Sequence, residues 1–212
     1  MRTYLIQAFT LVLTIMSCKQ TPVKLPLLGE PTVSQRIVDG KKVYDSIYPV
    51  VPPFSFTDQD SLIVNEKTFA GKAYIADFIF LSCPSICPKM TAEMKKVYDH
   101  FNTDERVSFL SHTIDPERDS IPRLKAFTMS LGVDDKKWKF VTGNQDSIYL
   151  LAERGYFSNA HRDSTAPGGY VHSGGLLLID KNRHIRGVYN GTNPKETGRL
   201  INDINILLKE PS

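Results

Sequence analysis

Two cysteines four residues apart carry the strongest chemical signal in this chain. Cys83 and Cys87 follow the apolar run 73–81, and each is followed by a proline before the helix-favouring run 89–100 begins. This order predicts a strand that delivers two thiols to the start of a helix, where unpaired backbone N–H groups and the helix dipole lower a thiol pKa. Because residues i and i+4 share one side of a helix, the pair can form a disulfide or bind one soft metal ion.

The spacing separates this pair from the common redox motif. Thiol-disulfide oxidoreductases of the thioredoxin type have two residues between their cysteines, whereas three lie between Cys83 and Cys87. The alternative is a pair of buried, inert thiols, which the strand–turn–helix context and the flanking prolines disfavour.

A third ligand would make a metal site more specific, and the five histidines are its candidates. His172 is the strongest, because it lies just before the predicted strand 175–179. If that strand is antiparallel to the strand leading to Cys83, its start lies at the thiol end of the sheet. His112 ends a predicted neighbouring strand and is a weaker candidate. Nothing in the sequence directs the remaining three to the thiols: His100, His161 and His184. A lone histidine of this kind is more often structural than a ligand.

Two thiolates and one imidazole suit copper. Cu(I) favours sulfur and accepts few ligands, and an imidazole helps to hold Cu(II). A structural zinc ion usually takes four ligands, and the sequence offers no clear fourth.

Length and composition indicate an ordinary folded protein. The 212 residues suit one domain with additional segments, and the chain is 41% hydrophobic and 23% charged. These values exclude a disordered or fibrous class. A net charge of +3, spread evenly, gives no indication of nucleic-acid binding.

The N-terminus indicates export. Residues 1–17 have a positive start at Arg2 and a short apolar stretch, as in a signal peptide. A small residue just before Cys18 resembles the lipidation signal of bacterial lipoproteins, so we expect Cys18 to be the lipid-anchored first residue of the mature chain; the alternative is an unmodified thiol. Residues 18–48 are then expected to form a flexible tether and residues 49–212 the folded domain. Outside the cytosol the remaining cysteine pair can be oxidised.

The pattern of the rest predicts an α/β fold. A hairpin is expected ahead of the core at 54–57 and 62–64, followed by strands that alternate with helices and then by a second hairpin and a closing helix. This order predicts a mixed sheet with helices on both faces. The expected helices are 91–101, 120–131, 144–154 and 194–208; the expected strands are 73–81, 107–114, 139–141, 175–179 and 184–189; residues 155–169 are expected to be irregular.

Three sequence blocks resemble the Sco/SenC family, the copper-binding accessory proteins of cytochrome c oxidase assembly. They are the strand with C-P-x-x-C-P at 78–88, the acidic block 113–120, and His172-Ser173 with the apolar strand and hairpin that follow. The resemblance covers about residues 52–208. It implies a thioredoxin-like fold and copper ligation by Cys83, Cys87 and His172.

The acidic block matches the family's pattern, whereas the residue before His172 does not. Asp115 and Asp119 match the family's acidic block, and we interpret both as structural carboxylates. Val171 stands where the family often has an aspartate, which removes one possible hydrogen-bond partner of His172.

The resemblance favours a copper metallochaperone that is not an enzyme. Its expected partners are a cytochrome c oxidase subunit or another copper protein, and the membrane through Cys18, with no nucleic acid. The alternative is a thiol-disulfide reductase that keeps a partner's cysteines reduced and needs only Cys83 and Cys87. A peroxide-scavenging thiol enzyme ranks lower, because the T-x-x-C setting of its reactive cysteine is missing. A copper or redox sensor also remains open.

Overall fold

A strand that is buried along its whole length forms the middle of the sheet. All seven residues of this strand, Ala73–Ile79, are buried, as expected for an apolar run that is covered on both faces. The structure is a computed structural model that describes residues 23–211. The predicted signal peptide and Cys18 lie outside the described residues.

The main sheet has seven strands and mixed directions. The central strand runs parallel to the next strand along the chain, which in turn runs parallel to a third, and the outer strands are antiparallel to their neighbours. In spatial order the strands are β11 (Ile185–Asn190), β10 (Gly175–Ile179), β5 (Ala73–Ile79), β6 (Val107–Thr113), β7 (Trp138–Thr142), β3 (Ser55–Asp58) and β4 (Ile63–Asn65). The antiparallel pairing of β10 with β5 brings the start of β10 to the carboxyl end of β5.

Four α-helices flank this sheet. They are α1 (Ile86–Phe101), α2 (Ile121–Leu131), α3 (Gln145–Leu150) and α4 (Pro194–Leu207), and a π-helical turn at Leu151–Gly155 continues α3. Helix α1 buries Met90, Met94 and Val97, which repeat at the spacing of one helix face. It begins five residues earlier than the sequence pattern predicted. Within residues 23–211, no helix has the length and apolar character needed to cross a membrane.

The expectation of a flexible tether is wrong for residues 32–47. Strands β1 (Thr32–Val38) and β2 (Lys41–Ile47) form an antiparallel hairpin whose residues are exposed or half-buried. Its turn at Asp39-Gly40 has φ values of 51° and 74°, the left-handed pair that a type I′ hairpin turn requires. Because neither face is buried, the strands show no alternation of apolar and polar residues, and the pattern was missed.

The segment before this hairpin is attached to the main sheet. The backbone N–H of Leu28 donates to the carbonyl of Ile185 at 2.9 Å, and the Arg186 guanidinium donates to the carbonyls of Leu25 and Pro26. The chain before β1 therefore runs beside β11.

A second short ribbon corrects the expectation of an irregular segment at 155–169. Strand β8 (Ala160–Arg162) pairs with β9 (Tyr170–His172), and a 3₁₀ turn at Pro167–Gly169 lies between them. A strand of three residues is too short to show an alternation of apolar and polar residues in the sequence. The hairpin predicted ahead of the core is present as β3 and β4.

Candidate metal centre

The two cysteines lie on either side of the start of α1. Strand β5 ends at Ile79, and the chain then turns so that Cys83 precedes the helix and Cys87 lies in its first turn. The backbone N–H of Cys87 donates to the Cys83 sulfur at 3.4 Å. The helix N-terminus is therefore directed at the first sulfur, as the sequence predicted.

The environments of the two thiols differ. Burial raises the pKa of Cys83, but hydrogen bonds from the backbone N–H groups of Cys87 and Ser85 outweigh that effect, and the net shift is downward. Burial raises the pKa of Cys87 well above its ordinary range, and the nearby Cys83 and Asp77 raise it further. Cys83 is therefore the first of the pair to form a thiolate, and Cys87 holds its proton.

His172 meets these thiols from a different part of the chain. Its Nε2 atom lies 3.0 Å from the Cys87 sulfur, and its Nδ1 atom lies 3.1 Å from the Ser173 carbonyl oxygen. An Nδ1–H that donates to this carbonyl leaves the Nε2 lone pair directed at the sulfur. Burial lowers the pKa of His172, which favours the neutral imidazole that a metal requires. The backbone carbonyl thus supplies the orienting contact that the valine at 171 cannot.

The three side chains form a compact donor set. The two sulfurs and one ring nitrogen all lie within 4.8 Å of one another, and in the described part of the chain no further histidine, cysteine, aspartate or glutamate joins them. Two soft sulfurs and one imidazole fit a copper ion, whereas a closed zinc site would need a fourth ligand.

Two openings lead to this donor set. A cavity of about 410 Å³ between α1 and α2 is lined by both Cys83 and Cys87, with Phe127 and Leu131 among its apolar walls. A smaller cavity of about 150 Å³ on the other side reaches Cys83 and His172. Of these two cavities, the larger and more apolar one is lined by both sulfurs.

The carboxylates of the acidic block are structural. Asp119 is fully buried and accepts hydrogen bonds from the Leu81 backbone N–H at 3.0 Å and the Thr113 hydroxyl at 2.6 Å. It thereby fixes the chain just before Cys83. Asp115 is also fully buried and accepts from the Tyr170 hydroxyl at 2.8 Å. Both contacts agree with the structural interpretation of these residues.

The other histidines do not join the site. His112 is fully buried against aromatic rings, including Phe78 at 4.9 Å between centroids, and burial lowers its pKa to about 4. It packs in the core and is not a ligand. His161 is exposed on β8, His100 is exposed in the last turn of α1, and His184 lies near Asp180.

Sequence reasoning missed two buried residues near the site. Asp77 is a buried carboxyl group in the middle of β5, and one charged residue inside a seven-residue apolar strand was a signal that could have found it. Tyr170 links the β9 strand to Asp115. Nothing in the sequence marks this contact between residues far apart in the chain.

Comparison with known proteins gives one consistent result. A family model described as SCO1/SenC matches residues 44–209. A SCO1 protein homolog of Bacillus subtilis (strain 168) is 30% identical over 169 residues, which is 78% of this chain and 86% of that protein. A protein of Stutzerimonas stutzeri named as copper-binding is 26% identical over 65% of this chain and 67% of its own length.

A solved structure agrees with these sequence relatives. The structure of BsSco, described as a member of the Sco family of cytochrome c oxidase assembly proteins and as having a disulfide switch, has a TM-score of 0.68 and 27% identity. The alignment covers 77% of this chain and 95% of that structure. The predicted fold class, a thioredoxin-like mixed sheet flanked by helices with an N-terminal β-hairpin, is confirmed.

Proposed function

Because the chain belongs to the SCO1/SenC family, we propose that it is a copper metallochaperone that assists assembly of the copper centre of cytochrome c oxidase. Copper is its cargo, and Cys83, Cys87 and His172 are its ligands. One observation carries the proposal: the His172 nitrogen meets the Cys87 sulfur at 3.0 Å, although 85 residues separate them in the chain.

The chemistry of the donors supports copper. The donor set consists of two thiols and one imidazole. Among the described residues, no fourth histidine, cysteine or carboxylate ligand joins it. A relative of similar sequence is named as copper-binding, and BsSco belongs to a family of oxidase assembly proteins. The client of this chain follows from that family relationship alone.

Each of the three ligands has a different role in the binding and release of copper. Cys83, whose pKa is lowered, provides the first thiolate. Cys87 must lose its proton as it becomes a ligand, and His172 brings a neutral nitrogen whose orientation the Ser173 carbonyl fixes. When bound, copper would act as a soft Lewis acid that can exchange these sulfur and nitrogen ligands for those of a client protein. The cavity between α1 and α2 exposes both sulfurs, so a client's ligands would enter there and displace the thiolates one at a time.

A thiol-disulfide reductase is the second candidate, favoured by the unequal thiols. The Cys83 thiolate would attack a partner's disulfide, forming a mixed disulfide and releasing one partner thiolate, which takes up a proton. Cys87 would then lose its proton and attack Cys83, so that the Cys83–Cys87 disulfide forms and the second partner thiol leaves. The partner's disulfide gains the two electrons that the dithiol loses. The disulfide switch reported for BsSco supports this second use of the pair.

The location of the protein is part of the proposal. We place the mature chain outside the cytosol, facing the periplasm or the cell exterior and anchored by a lipid on Cys18. The charged start, the apolar stretch and the small residue before Cys18 in the sequence support this. Metabolic labelling with a radioactive fatty acid tests it: we expect the wild type to carry the label and Cys18→Ser to lack it, and an unlabelled wild type contradicts lipid anchoring.

Titration with Cu(II) tests the site. We expect the wild type to bind one ion with a sulfur-to-copper charge-transfer band, and His172→Ala to bind about tenfold more weakly or worse, with an altered spectrum. His161→Ala is the matched control, because that histidine is exposed on the neighbouring strand of the same ribbon. If His172→Ala keeps the wild-type affinity and spectrum, the ligand assignment is wrong.

Activity in cells separates the two candidate functions. Oxidase assembly should fail in Cys83→Ser and Cys87→Ser under either function, because both need the dithiol. It should also fail in His172→Ala if the protein delivers copper, and survive in that variant if the protein is a reductase.

A further inference from the structure

His172 lies on a ribbon that the main sheet does not hold. Among the described residues, β8 and β9 pair with each other and form a separate two-stranded sheet. An isolated two-stranded ribbon is marginally stable in water. Apart from the two-residue connection between β9 and β10, side-chain contacts therefore set the distance between the His172 ring and the cysteine loop.

Tyr170 makes the principal contact of this kind. Tyr170 and His172 are two residues apart on one strand, so both side chains project from the same face. The Phe80 ring, at the start of the cysteine loop, lies 5.2 Å from the Tyr170 ring and 5.8 Å from the His172 ring. Tyr170 is buried, and its hydroxyl donates to the Asp115 carboxylate at 2.8 Å.

Two arginines hold Tyr170 from outside. The Arg118 guanidinium lies 5.4 Å from the Tyr170 ring centre, pairs with Asp115 at 2.5 Å, and donates to the Gly168 carbonyl. Arg162, on β8, lies 5.7 Å from the same ring and pairs with Glu117 at 2.8 Å. Cation–π contacts and ion pairs thus join the acidic loop to both strands of the ribbon.

The other contacts of the ribbon do not reach the acidic loop. Ser173 donates its backbone N–H to the Asn159 carbonyl at 2.9 Å, and its hydroxyl lies 2.5 Å from that of Ser158. These contacts join the two ends of the ribbon to each other. Backbone bonds from Ser158 to the Ala152 carbonyl and from Gly191 to the Gly174 carbonyl tie this end of the ribbon to the main fold. The contacts of Tyr170 fix β9 against the acidic loop and the cysteine loop.

We propose that Tyr170 is a positioning residue, and that its hydrogen bond to Asp115, supported by Arg118 and Arg162, sets the distance between the His172 imidazole and the Cys87 sulfur. The expected effect of Tyr170 on copper binding rests on the proposed function. Its expected effect on the position of β9 in the metal-free protein does not. Removing the hydroxyl frees the β9 strand while Phe80 keeps its aromatic neighbour.

Hydrogen exchange of the reduced, metal-free full chain in detergent tests this proposal directly. In Tyr170→Phe we expect the backbone amides of residues 171–173 to exchange about tenfold faster than in the wild type, the change that loss of one hydrogen bond to a charged group produces. Tyr189→Phe is the matched control, because it removes a tyrosine–carboxylate bond of 2.7 Å whose acceptor, Asp203, lies on α4 and not in the acidic loop. The control should leave exchange at 171–173 unchanged.

The second readout is copper release. We expect Cu(II) to dissociate about tenfold faster from Tyr170→Phe, with a shifted charge-transfer band, and Tyr189→Phe to behave as the wild type. Unchanged exchange at 171–173 in Tyr170→Phe overturns the positioning role. If wild-type protein binds no Cu(II), the proposed function fails, and the exchange experiment still decides the positioning role.

A second variant, Arg162→Gln, tests the proposal if Tyr170→Phe does not fold. Arg162 is mostly exposed, so Arg162→Gln should fold. It should raise exchange at 171–173 in the same direction and by a smaller factor. If Tyr170→Phe does not fold, faster exchange in Arg162→Gln supports the proposal and unchanged exchange overturns it.

Discussion

A buried carboxyl group beneath the cysteine loop makes the stability of this fold depend on pH. Asp77 is 1% exposed in the middle of β5, and within the described residues neither of its oxygens accepts a well-formed hydrogen bond. Burial raises its pKa from 3.8 to about 7, although the Ser111 hydroxyl beside it acts in the opposite direction. Replacing Asp77 with asparagine should remove this dependence, because the amide does not titrate.

The sign and size of the effect follow from linkage. Below pH 4 the Asp77 carboxyl is protonated in both the folded and the unfolded chain, so it adds no pH dependence to the free energy of unfolding. As pH rises from about 4 to 7, the unfolded chain ionises first, and folding loses about 1.4 kcal/mol per pH unit. Above pH 7 the loss is constant. Since the shift is about three units, wild type should lose about 4 kcal/mol relative to Asp77→Asn over this range.

Urea unfolding followed by circular dichroism measures this difference. Wild type and Asp77→Asn are compared at several values between pH 4.5 and 8 under reducing conditions, so that a fixed cost of the buried amide cancels. Ser111→Ala should extend the slope to higher pH, because that hydroxyl lowers the pKa of Asp77. A stability difference between wild type and Asp77→Asn that stays flat across the range would refute the argument.

Three further predictions concern the thiols, a turn and a buried ion pair. Because the pKa of Cys83 is lowered and that of Cys87 is raised, iodoacetamide at pH 7.5 should alkylate Cys83 first, as read by mass spectrometry; equal rates would contradict the assigned shifts. Gly168→Ala should cost at least about 1 kcal/mol more in urea unfolding than Gly169→Ala, because both have positive φ but only the first would place Cβ against a ring, at 2.7 Å. Arg186→Met should cost about 3–5 kcal/mol, since the buried guanidinium pairs with two carboxylates; a stability loss below about 1 kcal/mol would show that the pairs contribute little.

The cysteine half of the site could be predicted from local sequence. An apolar strand, two cysteines between prolines and a polar helix all lie within 30 residues, and each step follows from a short-range preference. The position of His172 required one assumption, that the strand 175–179 runs antiparallel to β5, and the structure confirms it. Length and the alternation of elements were enough for the fold class, because a buried central strand and its flanking helices have distinct periods.

The parts that were missed lack such a signal for physical reasons. The hairpin at 32–47 has no buried face, so its residues do not alternate. Its one signal is the Asp39-Gly40 dipeptide, which indicates a hairpin strongly only when alternating apolar residues flank it. The ribbon that carries His172 has three residues in each strand. A strand of that length cannot be distinguished from irregular chain by pattern, and its position depends on contacts with distant residues.

The origin of each ligand indicates how the site can change. Both sulfurs are held by one strand, one helix N-terminus and the Asp119 bonds before Cys83, all parts of the main fold. The His172 nitrogen belongs to a separate two-stranded ribbon, which Tyr170 joins to Asp115 of the same fold. Because a two-stranded ribbon opens more easily than a central strand, the imidazole is the ligand that can leave with the least loss of structure. On the proposed function, we therefore expect release of copper to begin with His172, before a client displaces the two thiolates through the larger cavity.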